Sequence, residues 1–264
     1  LHGVPIAVKD LCYTTGIRTM GGCKVLADFV PDFDATVVRK FSEAGAVLLG
    51  KLNLTEGAMA GYNPAFDVPE NPWAPGHWSG ASSSGSGAAT AAGLAFAALG
   101  SDTGGSIRHP AAVCGTVGLK PTYGRVSRHG VLDLGQTLDH VGPLTRSAYD
   151  AGLVTQAIAG ADPNDPTALL EPVPNMLADI EGGVTGLRVG WVPPRCWFAA
   201  ACAAGRCGGL RSDAGRRWGA AVQRGGGARR CSPVEASSGP ARRRGARVQR
   251  RGGAPRGRAG VAGG

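Results

Sequence analysis

The serine at position 106 is the strongest candidate for a reacting group in this chain of 264 residues. It lies in the run GSDTGGSIR at residues 100–108, directly after two glycines. A serine hydroxyl is a weak nucleophile at neutral pH, so acyl transfer requires a base within hydrogen-bonding distance and backbone donors for the developing oxyanion. Glycine permits backbone conformations that turn successive N–H groups toward one point. The run therefore predicts Ser106 as a nucleophile and Thr103, Gly104 and Gly105 as its oxyanion hole.

Two further groups upstream of Ser106 could complete this chemistry. Lys9 follows a short apolar segment that contains Ile6 and Val8. Burial beside such residues lowers the pKa of a lysine because it disfavours the charged form, and a neutral lysine can accept a proton. The second group is the cluster of serines at residues 82–86. Together, the lysine, the serine cluster and the loop around Ser106 indicate a serine-based acyl transfer.

At these residues the chain resembles the amidase signature family, whose members hydrolyse or transfer amide groups through a Ser-Ser-Lys triad. The resemblance extends in order over residues 1 to about 192 and includes the run CGTVGLKPTYGR at residues 114–125. It implies that Ser106 is the nucleophile, Ser82 the bridging serine and Lys9 the base at the end of the relay. It also implies an acyl-enzyme, formed while the proton of Ser106 passes through Ser82 to Lys9.

The loop that carries Ser82 departs from the family's usual pattern, which is Gly-Gly-Ser-Ser-Gly-Gly-Ser. Ala81 and Ser84 stand where that pattern has glycine. In the family the peptide bond before the bridging serine is cis, which here is the bond between Ala81 and Ser82. A Cβ at either substituted position could strain this loop.

The resemblance implies an amidase that hydrolyses a small carboxamide, and it leaves two alternatives open. One is the glutamine-dependent amidotransferase subunit that acts on misacylated tRNA, since that subunit shares the triad. The loop at residues 61–78 is more similar to the general amidases than to that subunit. The other alternative is an inactive, truncated pseudo-enzyme whose basic carboxyl-terminal tail binds RNA.

The charged neighbours of Ser106 are predicted to be structural. Asp102 and Arg108 should pair with each other or with the backbone to hold the loop. His109 is expected to be packed or solvated rather than turned toward substrate. The five histidines have no spacing typical of metal ligands, so we expect no metal and no cofactor. The segment 45–52 nearly matches a phosphate-binding loop, but Leu52 stands where a hydroxyl group must bind magnesium.

Alternating strand-like and helix-like segments indicate the α/β class. The family resemblance implies a mixed β-sheet core covered by helices on both sides, incomplete in this chain. The expected elements are strands at residues 3–8 and 46–49, a helix at 34–44 capped by Asp34, a buried helix at 85–99, and loops at 64–75 and 162–174.

The chain divides by composition at about residue 194. Residues 1–194 have a net charge of −5 and are predicted to form the amidase-signature core, truncated at both ends. Residues 195–264 have a net charge of +14 and contain 16 Arg, 16 Gly and 15 Ala. Such a segment cannot bury enough apolar surface to fold. It is predicted to be a disordered tail that binds nucleic acid only non-specifically, or the product of a wrong reading frame.

The remaining composition bears on the cellular compartment. The seven cysteines show no paired framework, which is typical of a reducing cytoplasm. No apolar run approaches the ~20 residues that a membrane-spanning helix requires. We therefore expect a cytoplasmic enzyme whose partner is a small amide substrate, with an oligomeric state that the sequence does not indicate.

Overall fold

The structure is a computed structural model that describes residues 1–59, 61–183 and 185–186. The predictions for residues 195–264, whether a separate tail, disorder or RNA binding, lie outside the described residues. None of the helices in the described part of the chain combines the length and the apolar character needed to cross a bilayer.

A five-stranded sheet forms the centre of the fold, with strand order β2-β1-β3-β5-β4. β1, β2 and β3 run parallel, whereas β5 pairs antiparallel with both β3 and β4. This mixed sheet with its helices confirms the predicted α/β class. The strands are β1 (Pro5–Lys9), β2 (Val47–Leu52), β3 (Ala97–Asp102), β4 (Val117–Gly118) and β5 (His140–Thr145).

In the part of the chain that the structure describes, four α-helices cover the sheet in two pairs. They are α1 (Thr36–Glu43), α2 (Ser84–Ala91), α3 (Arg108–Cys114) and α4 (Ala148–Ile158), and single 3-10 turns occupy Lys24–Leu26 and Glu56–Ala58. One face of the sheet packs on α1 and α4 in a single apolar cluster that includes Ile6, Val8, Leu99, Val141, Val37, Phe41, Val154 and Ile158.

The opposite face of the sheet lies against α2 and α3. Leu144 of β5 packs there with Ile107 and Ala111. Gly100 of β3 lies on this face too, since a Cβ at that position would come within 2.8 Å of Ser83 Oγ and of a Leu144 methyl group. The close approach of α2 to the sheet therefore depends on a residue without a side chain.

Two of the predicted helices differ from the structure. The first helix begins at Thr36 with Ala35 as its N-cap, so the predicted cap at Asp34 is wrong. Asp34 Oδ1 instead accepts a hydrogen bond from the backbone N–H of Thr15, at 2.7 Å. The predicted helix at 85–99 ends at Ala91, and its last residues belong to β3. A turn with Gly93 at φ +73° separates the two elements.

The other predicted elements agree with the structure within a few residues. β1 and β2 occupy the two predicted strand segments, and residues 64–75 and 162–174 contain no helix and no strand. The three parallel strands end at Lys9, Leu52 and Asp102. Carboxyl ends of parallel strands meet at one edge of a sheet, where ligands of open α/β folds commonly bind. The segments that carry Lys9 and the loop of Ser106 therefore meet at this edge.

Candidate active site

Lys9 and Ser82 are in direct contact although 73 positions separate them in the chain. Lys9 is the last residue of β1, and its Nζ lies 2.7 Å from Ser82 Oγ and 2.9 Å from Ser101 Oγ. All three side chains are buried. The sheet supplies Lys9 and Ser101 from neighbouring strands, and the loop before α2 supplies Ser82. Two of the predicted site residues are thus brought together inside the protein.

The environment of Lys9 favours its neutral form. Burial lowers its pKa from 10.5 to about 7, and this effect outweighs the negative potential of Asp102 and Asp139, which raises the pKa. The apolar residues of β1 that predicted this lowering are themselves almost fully buried. Near pH 7 the amine of Lys9 therefore exists in both protonation states, as a proton acceptor requires.

The loop that carries Ser82 has the geometry that the resemblance implied. The peptide bond between Ala81 and Ser82 is cis. Neither Ala81 nor Ser84 has positive φ, so both backbones adopt conformations that residues with a Cβ commonly take. Ser84 is the first residue of α2, where a Cβ meets no conformational penalty. Gly80 could not be replaced by a larger residue without a clash, because at φ +83° an added Cβ would lie 2.6 Å from Pro110 Cα.

Ser106 lies in the loop between β3 and α3 and is half-buried. Its carbonyl oxygen accepts a hydrogen bond of 3.3 Å from the N–H of Ser83, so the two candidate catalytic loops are in contact. In the described part of the chain, no hydrogen bond joins Ser106 Oγ to Ser82. The structure therefore places the nucleophile candidate beside the Lys9–Ser82 pair without the direct contact that a proton relay requires.

The three predicted oxyanion-hole residues differ in what their N–H groups do. The N–H of Gly105 donates to Asp102 Oδ1 at 2.8 Å. Among the described residues, the N–H groups of Thr103 and Gly104 have no protein acceptor. Space beside this loop is open, since a Cβ on Gly104 or Gly105 would meet no atom within 4 Å. Gly105 has φ +136°, a conformation that favours glycine.

Asp102 and Arg108 form a bidentate ion pair, with both N–O distances at 2.9 Å. Asp102 is fully buried and also accepts hydrogen bonds from three backbone N–H groups of the loop. Burial raises the pKa of this carboxyl group, but these hydrogen bonds outweigh it and the net pKa lies below the ordinary value. The predicted structural role of the pair is confirmed: it holds the loop that presents Ser106.

His109 is packed, as predicted. Its ring contacts the edge of Trp78 with 4.8 Å between centroids, and its Nδ1 accepts the N–H of Ala81 at 3.4 Å. Sequence reasoning missed Ser101 and Asp139. Ser101 lies inside the glycine-rich run, but its position beside Lys9 depends on the pairing of β3 with β1, which the sequence does not show. Asp139 has no local signal, because it lies 36 positions from Thr103, to which it is hydrogen-bonded.

Comparison with known proteins identifies the family. The family model Amidase matches residues 1–203, so the chain belongs to the amidase family. AmiD of Mycobacterium tuberculosis, itself named only as a candidate amidase, is 58% identical over 180 residues, which cover 68% of this chain and 38% of that protein. A glutamyl-tRNA(Gln) amidotransferase subunit of Anaeromyxobacter sp. (strain K) is 50% identical over 226 residues, covering 84% and 46% of the two chains.

Solved structures of the same family share this fold. The glutamyl-tRNA(Gln) amidotransferase subunit of Thermotoga maritima aligns with a TM-score of 0.67 and 46% identity, covering 70% of this chain and 42% of its own. The peptide amidase of Stenotrophomonas maltophilia aligns with a TM-score of 0.61 and 42% identity, covering 67% and 37%. The chain spans less than half the length of these relatives.

Proposed function

We propose that this protein hydrolyses a carboxamide through an acyl-enzyme formed on Ser106. The observation that carries the proposal is the buried contact of 2.7 Å between Lys9 Nζ and Ser82 Oγ, with the pKa of Lys9 lowered to about 7. A neutral buried amine next to a hydroxyl is a base poised to relay a proton. The half-buried Ser106 and the open space at Gly104 and Gly105 supply a nucleophile and room for a substrate beside it.

The reaction follows from these positions. Ser106 Oγ attacks the amide carbonyl while its proton passes to Ser82 and the proton of Ser82 passes to Lys9. The free N–H groups of Thr103 and Gly104 stabilise the oxyanion. The protonated relay then returns a proton to the leaving ammonia or amine, and water attacks the ester by the same path. Ser106 Oγ and Ser82 Oγ must come into hydrogen-bonding contact before the first transfer.

Ammonia release from a panel of amides tests the proposal directly. We expect release from simple monocarboxamides such as acetamide and benzamide without any partner protein, and none from the Ser106→Ala variant. Coupled detection of ammonia with glutamate dehydrogenase measures it. No ammonia from any amide, together with no reaction of Ser106 with a sulfonyl fluoride, would contradict the proposal and favour a pseudo-enzyme.

The relatives that are named as glutamyl-tRNA(Gln) amidotransferase subunits favour a second candidate function, in which the chain releases ammonia from glutamine for a partner. The same panel distinguishes the two. If glutamine is the only amide of the panel that is hydrolysed, and an added partner protein increases its hydrolysis, the second candidate is supported. Hydrolysis of monocarboxamides that no partner increases supports the first.

The rate of amide hydrolysis should depend on pH through Lys9. The base is the neutral amine, and its pKa is about 7, so the rate should rise with pH and level off above about pH 8. Two pH units below the pKa about 1% of the amine is neutral, so the rate at pH 5 should be about 100-fold below the plateau. A profile of kcat/KM from pH 5 to 9 measures this, and a flat profile would contradict the role of Lys9.

A further inference from the structure

Asp139 is a buried carboxylate that joins the loop of Ser106 to a second loop. Its Oδ1 accepts the hydroxyl of Thr103 at 2.5 Å, and its Oδ2 accepts the N–H groups of Leu134 and Gly135 at 2.8 and 2.9 Å. Its own N–H donates to the carbonyl of Gly135. The carboxylate is therefore fixed by residues 134–135 on one side and holds Thr103 on the other.

Two further contacts tie the same segments together. A Cβ on Gly135 would lie 3.4 Å from the Thr103 methyl group, so the second loop packs closely on Thr103. His140 Nδ1 lies 3.1 Å from the carbonyl oxygen of Asp102 and 2.6 Å from that of Leu138. The Asp102 carbonyl and the Thr103 side chain, which flank the Thr103 N–H, are thus both held by residues 135–140.

We propose that Asp139 is a positioning residue for the oxyanion hole: through the Thr103 hydroxyl it fixes the backbone N–H groups at residues 103 and 104. This inference rests on the proposed function, since it assigns a role within that reaction. Within the described ranges the N–H groups of Thr103 and Gly104 have no acceptor, and Gly104 borders open space. Glycine by itself does not hold a backbone in one conformation. Preorganised donors need such external support to stabilise a transition state.

The charge of Asp139 gives the proposal a second readout. Three groups from three segments act on Lys9: Cys12 after β1, Asp102 at the end of β3, and Asp139 before β5. The two carboxylates raise the pKa of Lys9 against the effect of burial, whereas the thiol of Cys12, whose pKa is raised to about 11, is neutral near pH 7. Replacing Asp139 by asparagine removes one negative charge, so the pKa of Lys9 should fall further. The acid limb of the pH–rate profile should then move to lower pH.

Asp165 provides a matched control within the same chain. It is also buried. Its carboxylate accepts hydrogen bonds from the backbone N–H groups of Arg128 and Thr167, at 2.7 and 2.9 Å, and from the hydroxyl of Thr167, at 2.6 Å. It makes no contact with the loop at residues 103–106 among the hydrogen bonds of the described residues. Asp165→Asn therefore removes the same kind of interaction at a place that the proposal does not involve.

The experiment measures the second-order rate at which phenylmethanesulfonyl fluoride modifies Ser106, followed by mass spectrometry. The Ser106 Oγ–sulfur bond forms, fluoride leaves, and the hydroxyl proton passes to the relay, so the probe requires both the base and the oxyanion donors. We expect Asp139→Asn and Thr103→Val each to lower this rate about 10- to 100-fold, and the double variant to be no slower than the slower single one. Asp165→Asn should stay within about twofold of the parent.

The pH dependence of the same rate completes the test. In Asp139→Asn the midpoint should move below that of the parent because a negative charge near Lys9 is lost, whereas in Thr103→Val, which keeps that charge, the midpoint should stay in place while the plateau rate falls. Equal rates of Ser106 modification in Asp139→Asn and Asp165→Asn would overturn the proposal. If Asp139→Asn does not fold, Thr103→Val takes its place, and a modification rate equal to that of the parent would overturn the proposal. No labelling of Ser106 in the parent would instead refute the proposed function, and this inference with it.

Discussion

Replacing Ser106 by alanine should abolish amide hydrolysis and leave the fold intact. The hydroxyl is the proposed nucleophile, and loss of a nucleophile that works as one unit with its base costs about 10⁴-fold or more in rate. The side chain is half-buried and makes no hydrogen bond with other described residues, so its removal should shift the melting temperature little. Ammonia release and thermal unfolding, measured on one preparation, check both halves of the expectation.

Ser86→Ala is the matched control for this variant. Ser86 belongs to the serine cluster that contains Ser82. It is fully buried and donates its hydroxyl to the carbonyl of Leu99 at 2.8 Å. Loss of that hydrogen bond should destabilise the protein by about 1 kcal/mol and leave the rate per folded molecule within a few-fold of the parent. Residual hydrolysis by Ser106→Ala within tenfold of the parent would refute Ser106 as the nucleophile.

The candidate site could be predicted because its residues lie in segments with strong local character. The apolar residues around Lys9 predicted a buried, neutral lysine, and the two glycines before Ser106 predicted a loop whose backbone N–H groups turn toward one point. That Lys9 meets Ser82 across 73 positions does not follow from any local pattern. The family resemblance supplied this pairing. Physically, β3 pairs with β1, and the hydrogen bonds between Ser83 and Ser101 hold the loop of Ser82 against β3.

The errors in the fold come from residues that carry weak conformational signals. Alanine and glycine dominate residues 85–99, and their small side chains show neither helical nor strand periodicity. Without such a signal the segment was predicted as one helix. In the structure, α2 ends at Ala91 and β3 begins at Ala97, and all six residues of β3 are buried. Pairing with β1 on one side and β5 on the other decides the strand, and such pairing is not visible locally.

Long-range hydrogen bonds to carboxylates could not be predicted from the sequence either. Asp139 contacts Thr103 from a segment that shows no motif, and Asp34 caps no helix because it binds Thr15 instead. A carboxylate can accept from any nearby N–H or O–H group, so its partner is set by the tertiary fold rather than by its neighbours in sequence. The Asp102–Arg108 pair was predictable because both residues flank the same loop.

The relay itself should respond to mutation as one unit. Ser82→Ala and Lys9→Met should each lower turnover by about 10³-fold or more, and the double variant should be little worse than the worse single one, because either change already breaks the proton path. Methionine is chosen at position 9 because it fills most of the buried volume that alanine would leave empty. Lys40→Met is the control: Lys40 donates to the carbonyl of Ala159 at 2.7 Å, and α1, which carries it, packs on the other face of the sheet.

The pH profile separates a broken relay from a damaged fold. In Lys9→Met the acid limb near pH 7 should disappear, since the group that produces it is gone, whereas in Lys40→Met the limb should keep its place. Steady-state kinetics from pH 5 to 9 on the four variants and the parent measure both effects. Losses that multiply in the double variant, or an acid limb that persists without Lys9, would show that Lys9 and Ser82 do not share a proton path. The contact of 2.7 Å between them would then be a structural hydrogen bond, and the base that activates Ser106 would have to be a different group.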